Sequence, residues 1–184
     1  MLSREERWES ADGDKFQWTF ADPREGRVMP LKESYEKALR RAVDSAPYYR
    51  LMQIRLDQID TGFARFRMPF RKELTQAYGV VHGGAIASLA DTAVAFALMT
   101  LIRPGQRVTT AEFKINFFSA VEGGEMIGEA RTVYTGKRLV VADMEVKNET
   151  GKLIAKGLAT YAIIGVPKAE EGQEKTALDL ARSE

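Results

Sequence analysis

One carboxylate in this chain sits where a carboxylate is expensive. Asp91 lies in the middle of the stretch from Tyr78 to Ile102, and between Lys72 and Arg103 the only other formal charge is Glu73. Around it Ile86, Leu89, Ala90, Ala93, Val94, Ala97 and Leu101 recur at helical spacing. Phe96, Leu98 and Met99 fill other faces, so the segment is expected to be a helix apolar almost all round, and therefore buried. A carboxylate there must be hydrogen-bonded, paired or open to a wet pocket. Two readings follow: a structural aspartate bonded to backbone amides, or a catalytic base or nucleophile. At the start of the same helix, Gly83 and Gly84 leave backbone N–H groups approachable at the positive end of the helix dipole. A carbonyl oxygen docked on the Gly83 N–H would be polarised, as in an oxyanion hole, with Asp91 two turns further along. The plainer alternative for the glycine pair is a tight loop-to-helix junction with close packing.

Competing chemistries are scarce. His82 is the single histidine and there is no cysteine, so a nucleophile–base pair would have to use His82 itself. No second histidine lies at i+3 or i+4 and the carboxylates do not cluster, so no metal site is expected. Gly79, Gly83 and Gly84 match neither a Walker loop nor a dinucleotide fingerprint. Lys+Arg 27 against Asp+Glu 26 gives a net charge of +1 with no basic run, which argues against nucleic-acid and membrane partners. Gly83 to Ile102 is long enough to span a bilayer, but it is rich in Gly, Ala, Ser and Thr and carries Asp91 near its centre, so a core helix is expected instead. The lack of cysteine and of an apolar signal-peptide core at the N-terminus points to the cytoplasm.

The elements that must position these residues are read from period and punctuation. With 184 residues, 45% apolar and 29% charged, the chain fits one soluble domain with decorated ends. Met1 to Met29 holds twelve charged residues with scattered Trp8, Phe16, Trp18 and Phe20, and reads as an irregular arm. Leu31 to Ala46 has the spacing of an amphipathic helix, entered after Pro30 and stopped by Pro47. Its Arg40-Arg41 pair could meet a phosphate or simply form a solvated face. Leu51 to Ile59 and Phe63 to Phe70 flank Asp60-Thr61-Gly62 and read as a β-hairpin. A polar loop, Arg71 to Ala77, leads into the central helix. Downstream, Thr109 to Phe118, Met126 to Tyr134, Val140 to Lys147 and Leu153 to Ile164 alternate as strands. One apolar helix followed by four antiparallel strands is best buried by wrapping the sheet around the helix, an α+β arrangement. Residues 1–46 are thus arm and accessory helix, 47–166 the domain, and 167–184 a charged tail with a short helix from Gln173 to Arg182.

The string His82-Gly83-Gly84-Ala85-Ile86-Ala87-Ser88-Leu89-Ala90-Asp91-Thr92-Ala93 closely resembles the signature of hotdog-fold acyl-CoA thioesterases, in the subfamily typified by the phenylacetate-pathway thioesterase. The resemblance runs from about Pro47 to Val166, through Thr110 to Phe117, Tyr134 to Arg138 and Gly151 to Ala155. It implies the oxyanion amide at Gly83 and the catalytic carboxylate at Asp91. It further implies Gln76, seven residues before that glycine, as a polar partner of the carbonyl or water, and Thr110 as a hydroxyl that helps place the water. Many relatives carry Asn where Gln76 stands, and some have Pro near Ala120. Active sites of the family lie between subunits of a homodimer or homotetramer, with the amide from one chain and the aspartate from the other. The matching CoA-binding segments, Phe117 to Glu122 and Tyr134 to Leu139, make Phe117, Ser119, Gly136, Lys137 and Arg138 candidates beside Gly84. Coenzyme A would enter as part of the substrate, with no other cofactor.

The resulting expectation is hydrolysis of an acyl-CoA thioester. Two alternatives share the fold: a dehydratase or hydratase using His82 as base, and an acyl-CoA-binding protein without turnover. The arm and first helix would then cover the acyl pocket or extend an oligomer interface.

Overall fold

A computed structural model describes residues 31–102 and 106–165, and the expected arm, its aromatics and the tail helix lie outside them. Helix α1, Glu33–Ser45, turns Ala38, Leu39 and Val43 inward, and Leu39 and Val43 join the main core. Its Arg40 is held by Glu36 one turn earlier at 2.8 Å, the solvated-face reading of that basic pair. Tyr35 ties the helix to the centre by donating its hydroxyl to the Met99 carbonyl at 2.8 Å.

The next element departs from expectation. Pro47 ends α1, and it also opens a second helix, α2, Pro47–Met52. A proline at the first helical position loses no hydrogen bond and already has helical φ. Gln53, at φ 56°, closes α2 in the left-handed region, so the strand expected from Leu51 starts only at Arg55. Strands β1, Arg55–Asp60, and β2, Phe63–Pro69, then form the hairpin, turned by Gly62 at φ 73°.

Helix α3, Gly83–Met99, is the long apolar helix. Strands β3, Gln106–Phe117, β4, Glu125–Thr135, β5, Leu139–Asn148, and β6, Leu153–Gly165, complete one antiparallel sheet in the order β1-β2-β4-β5-β6-β3. The sheet wraps α3. Leu89, Ala90, Ala93, Val94 and Ala97 have no exposed surface, and they pack with Phe66 and Met68 of β2, Met126 and Ala130 of β4 and Val140, Ala142, Met144 and Val146 of β5. Each large side chain so buried contributes roughly 1.5–3 kcal/mol. Gly128 lets β4 press onto the helix: a Cβ there would lie 2.8 Å from Leu89 Cγ. The helix is not covered all round, however. Ala87, Ser88, Asp91 and Ala95 remain half-buried and Gly84 exposed, a stripe of small residues along one face. Asp91 therefore stands at the rim of the core, not within it. Among the described residues no helix is long and apolar enough to cross a membrane.

Candidate active site

The amide end of the site is built by the loop before α3. Gln76 N–H donates to Val80 O at 2.9 Å, Gly79 supplies the positive φ of 80°, and His82 N–H donates to Leu74 O at 2.8 Å. That loop delivers His82 in an extended conformation, φ −63° and ψ 135°, as the N-cap of α3. Its Nδ1 accepts the Gly84 N–H at 2.8 Å, which requires an unprotonated Nδ1. Two expectations change here. Gly84's amide is occupied and not open to a ligand, and His82 serves as a cap, with half of its ring chemistry engaged. Gly83 N–H, in contrast, has no partner among the described residues. The Phe117 ring lies beside the Gly83 Cα: a Cβ on Gly83 would be 3.3 Å from Phe117 Cζ. Gln76 belongs to the same end, its side chain exposed. Ser119 follows Phe117 and spends its N–H on Ile154 O at 3.3 Å.

The carboxylate end lies elsewhere. Asp91 Oδ1 accepts from Tyr161 OH at 2.5 Å and from Thr110 Oγ1 at 3.3 Å. Thr110 and Tyr161 are direct cross-strand partners on β3 and β6, so one rung of the sheet presents both hydroxyls. Thr110 sits within β3, which begins at Gln106, and the register breaks between Thr110 and Glu112. A bulge of this kind re-aims side chains beside a functional group. Tyr161 was not among the sequence candidates. The signal for it was its place on the inward phase of β6, because a buried phenol needs a polar partner and Asp91 was the only charge on the facing helix. Burial first, and then the Asp91 hydrogen bond, push the Tyr161 phenol far above the usual tyrosine range, so it stays a donor. From α2, Tyr49 also feels this site: burial and then the Asp91 charge raise its phenol. Tyr48 donates to Ser88 Oγ at 2.6 Å, and Ser88 passes on to Gly84 O at 2.9 Å.

Gly136, Lys137 and Arg138 form the turn between β4 and β5, closed by Gly136 N–H on Leu139 O at 2.8 Å. Both cations are exposed. Ile163 N–H donates to Arg138 O at 2.8 Å, which sets this turn at the Tyr161 end of β6. Phe117 pairs instead with Ala155, six residues along the same strand, or about 20 Å away at about 3.3 Å per residue. The candidates thus form two groups: Gln76, His82, Gly83, Phe117 and Ser119 at one end, and Asp91, Thr110 and the Lys137-Arg138 turn at the other. On α3 itself Gly83 and Asp91 are eight residues apart, about 12 Å of helix rise. Two open grooves, of about 340 Å³ beside α1 and α2 and about 280 Å³ on the outer face of β3 and β6, are lined by neither residue. Among the described residues no group of His, Cys, Asp or Glu could hold a metal ion.

The Thioesterase superfamily model matches residues 78–155, which span α3 and both groups apart from Gln76. A Saccharolobus solfataricus protein that carries a provisional esterase name is 34% identical over 115 residues, covering 62% of this chain and 76% of that protein. A conserved Pseudomonas aeruginosa protein of solved structure is 33% identical with a TM-score of 0.64, over 67% of this chain and 98% of its own. The E. coli PaaI protein, from the phenylacetic acid degradation operon, has a TM-score of 0.68 over 74% of this chain and 97% of its own. At 24% identity that last likeness is one of fold, the hotdog fold.

Proposed function

This chain belongs to the thioesterase superfamily, and on that premise we propose that it hydrolyses an acyl-CoA thioester to the free acid and CoA. The observation that carries the reading is on α3: a Gly83 amide at the helix start with no partner among the described residues and, on the same helix, a half-buried carboxylate held by hydroxyls. In the reaction we infer, the thioester carbonyl oxygen rests on the Gly83 N–H. Asp91 takes a proton from a water placed with the help of Thr110 and Gln76, and the hydroxide adds to the carbonyl carbon. The oxyanion formed is stabilised by the amide at the positive end of the helix. Its collapse breaks the C–S bond, and the proton held by Asp91 goes to the departing thiolate. Phe117, Ser119, Gly136, Lys137 and Arg138 are the proposed contacts of the CoA moiety, which is substrate and not cofactor.

Reacting groups must meet within about 3–3.5 Å, whereas these two lie about 12 Å apart along one helix. We therefore place each site between two copies of the chain, Gly83 from one and Asp91 from the other, in a homodimer or homotetramer. The small-residue stripe on α3 supports this, since it leaves one helix face open to a second chain. Among thioesterases the motif from His82 to Ala93 favours the phenylacetate-pathway type, and a cytoplasmic location goes with that reading.

The test is thiol release from a panel of short, aromatic and long acyl-CoAs by the wild type and by Asp91→Asn, which keeps the shape and removes the charge. Hydrolysis of at least one substrate that falls about 10²-fold or more in the variant is expected, within the range of general-base contributions. Near-wild-type hydrolysis by Asp91→Asn would refute the mechanism, and tight binding without turnover across the panel would refute the activity.

A further inference from the structure

Asp91 is the only charged residue on α3, and among the described residues it forms no ion pair with a lysine, arginine or histidine. Hydroxyls hold it instead. Tyr161 OH reaches Oδ1 at 2.5 Å and also lies 3.0 Å from the Asp91 backbone carbonyl, so one phenol is tied to the main chain and the side chain of the same residue. The Tyr161 side chain is 2% exposed and its ring is set in the core, so the hydroxyl is fixed by packing and not by a mobile loop. Thr110, its cross-strand partner, shares Oδ1 at the longer distance of 3.3 Å. The titratable groups that face the carboxylate are Tyr161 from β6 and Tyr49 from α2, while Tyr48 is engaged by Ser88.

We propose that Tyr161 is the positioning residue of the Asp91 site: its buried hydroxyl locks the carboxylate through Oδ1 and leaves Oδ2 as the oxygen that takes the proton from water. The proposal rests on the reading of Asp91 as the base. A carboxylate on a half-open helix face can turn about its side-chain bonds, and catalysis needs it held to within a fraction of an ångström. Thr110 alone, at 3.3 Å, is a weak restraint, since hydroxyl–oxygen bonds weaken beyond about 3.0 Å. A tyrosine that stays protonated donates without competing for the proton that Asp91 must carry.

Tyr161→Phe keeps the ring and removes the hydroxyl. With the acyl-CoA found in the panel, kcat is expected to fall about tenfold or more, near the worth of one hydrogen bond to a charged group, while KM stays close to the wild-type value. The same change in an Asp91→Asn background is expected to cost nothing further in kcat. A purely structural tyrosine would lower both backgrounds alike. Uniform 3-fluorotyrosine labelling adds a readout independent of activity and of the Phe variant's kinetics. The fluorine resonance of Tyr161 is expected to shift in Asp91→Asn, with the resonances of the exposed tyrosines unmoved. An unchanged kcat in a folded Tyr161→Phe protein, equal losses in both backgrounds, or an unmoved Tyr161 resonance would overturn the proposal. An Asp91→Asn protein that hydrolyses normally would instead overturn the underlying reading, so the two failures are told apart.

Discussion

Gly83→Pro separates the proposed oxyanion role of the amide from everything else that the residue does. Gly83 is the first residue of α3, where proline is favoured because its missing N–H is one that the helix never uses. Proline also restricts the residue before it to extended conformations, and His82 already has ψ 135°. No protein hydrogen bond is lost, since the Gly83 N–H has no partner among the described residues. The one close approach is to Phe117, whose Cζ would lie 3.3 Å from a Cβ, and that ring is 50% exposed and free to give. Stability should therefore hold, or rise by about 0.4–1 kcal/mol through the stiffer unfolded chain. Catalysis should not: removal of one oxyanion donor costs about 10²–10³ in kcat, or about 2.7–4 kcal/mol. Gly83→Ala is the control, because it adds the same Cβ and keeps the N–H. Thiol release and urea melts of the three proteins are the assay. A folded Gly83→Pro enzyme within a few-fold of wild-type kcat would refute the assignment, and so would an equal loss in Gly83→Ala.

His82→Ala removes the cap on the Gly84 amide and should cost about 1 kcal/mol in a urea melt. Hydrolysis should persist, and a folded but inactive variant would instead favour a histidine base, as in a dehydratase. Stability should also fall at alkaline pH. Burial and then Asp91 raise the folded-state pKa of Tyr161, so the fold keeps a proton that the unfolded chain gives up above about pH 10. That stability is full below about pH 10 and is lost as pH rises further, by up to about 1.4 kcal/mol per unit. Melts at about pH 9 and about pH 11 should show a shallower loss for Tyr161→Phe, with the remainder due in part to Tyr49; equal losses would contradict it.

What the sequence disclosed followed the local range of each signal. The α3 segment was legible because its apolar periodicity and the glycines at its start lie within one continuous stretch. The β1–β2 hairpin was legible because Gly62 marks its turn. Pro47 is ambiguous, since a proline both stops the helix before it and suits the first position of the helix after it; α2 is not expected from the sequence, and the strand expected from Leu51 overlaps its last two residues. Tyr161 was hidden differently. Its alternation places it on the inner face of β6, but its partners come from the register with β3, which crosses to the far edge of the sheet. The division of the candidates into two ends was hidden for the same reason: spacing along α3 gives the helix rise between Gly83 and Asp91, but only the β3–β6 pairing shows that Phe117 and Thr110 follow them to opposite ends. His82 shows a third case, where residue type suggested a base and the local geometry uses it as a cap.

The claim that one site takes Gly83 from one chain and Asp91 from another is tested most directly by mixing. Gly83→Pro and Asp91→Asn proteins, each expected to keep about a hundredth of wild-type activity or less alone, are unfolded together, refolded and assayed for thiol release. A mixed dimer then holds one site with both defects and one with neither. Activity well above that of either parent is the predicted result. A mixture that forms mixed dimers and stays as inactive as its parents would contradict the two-chain site.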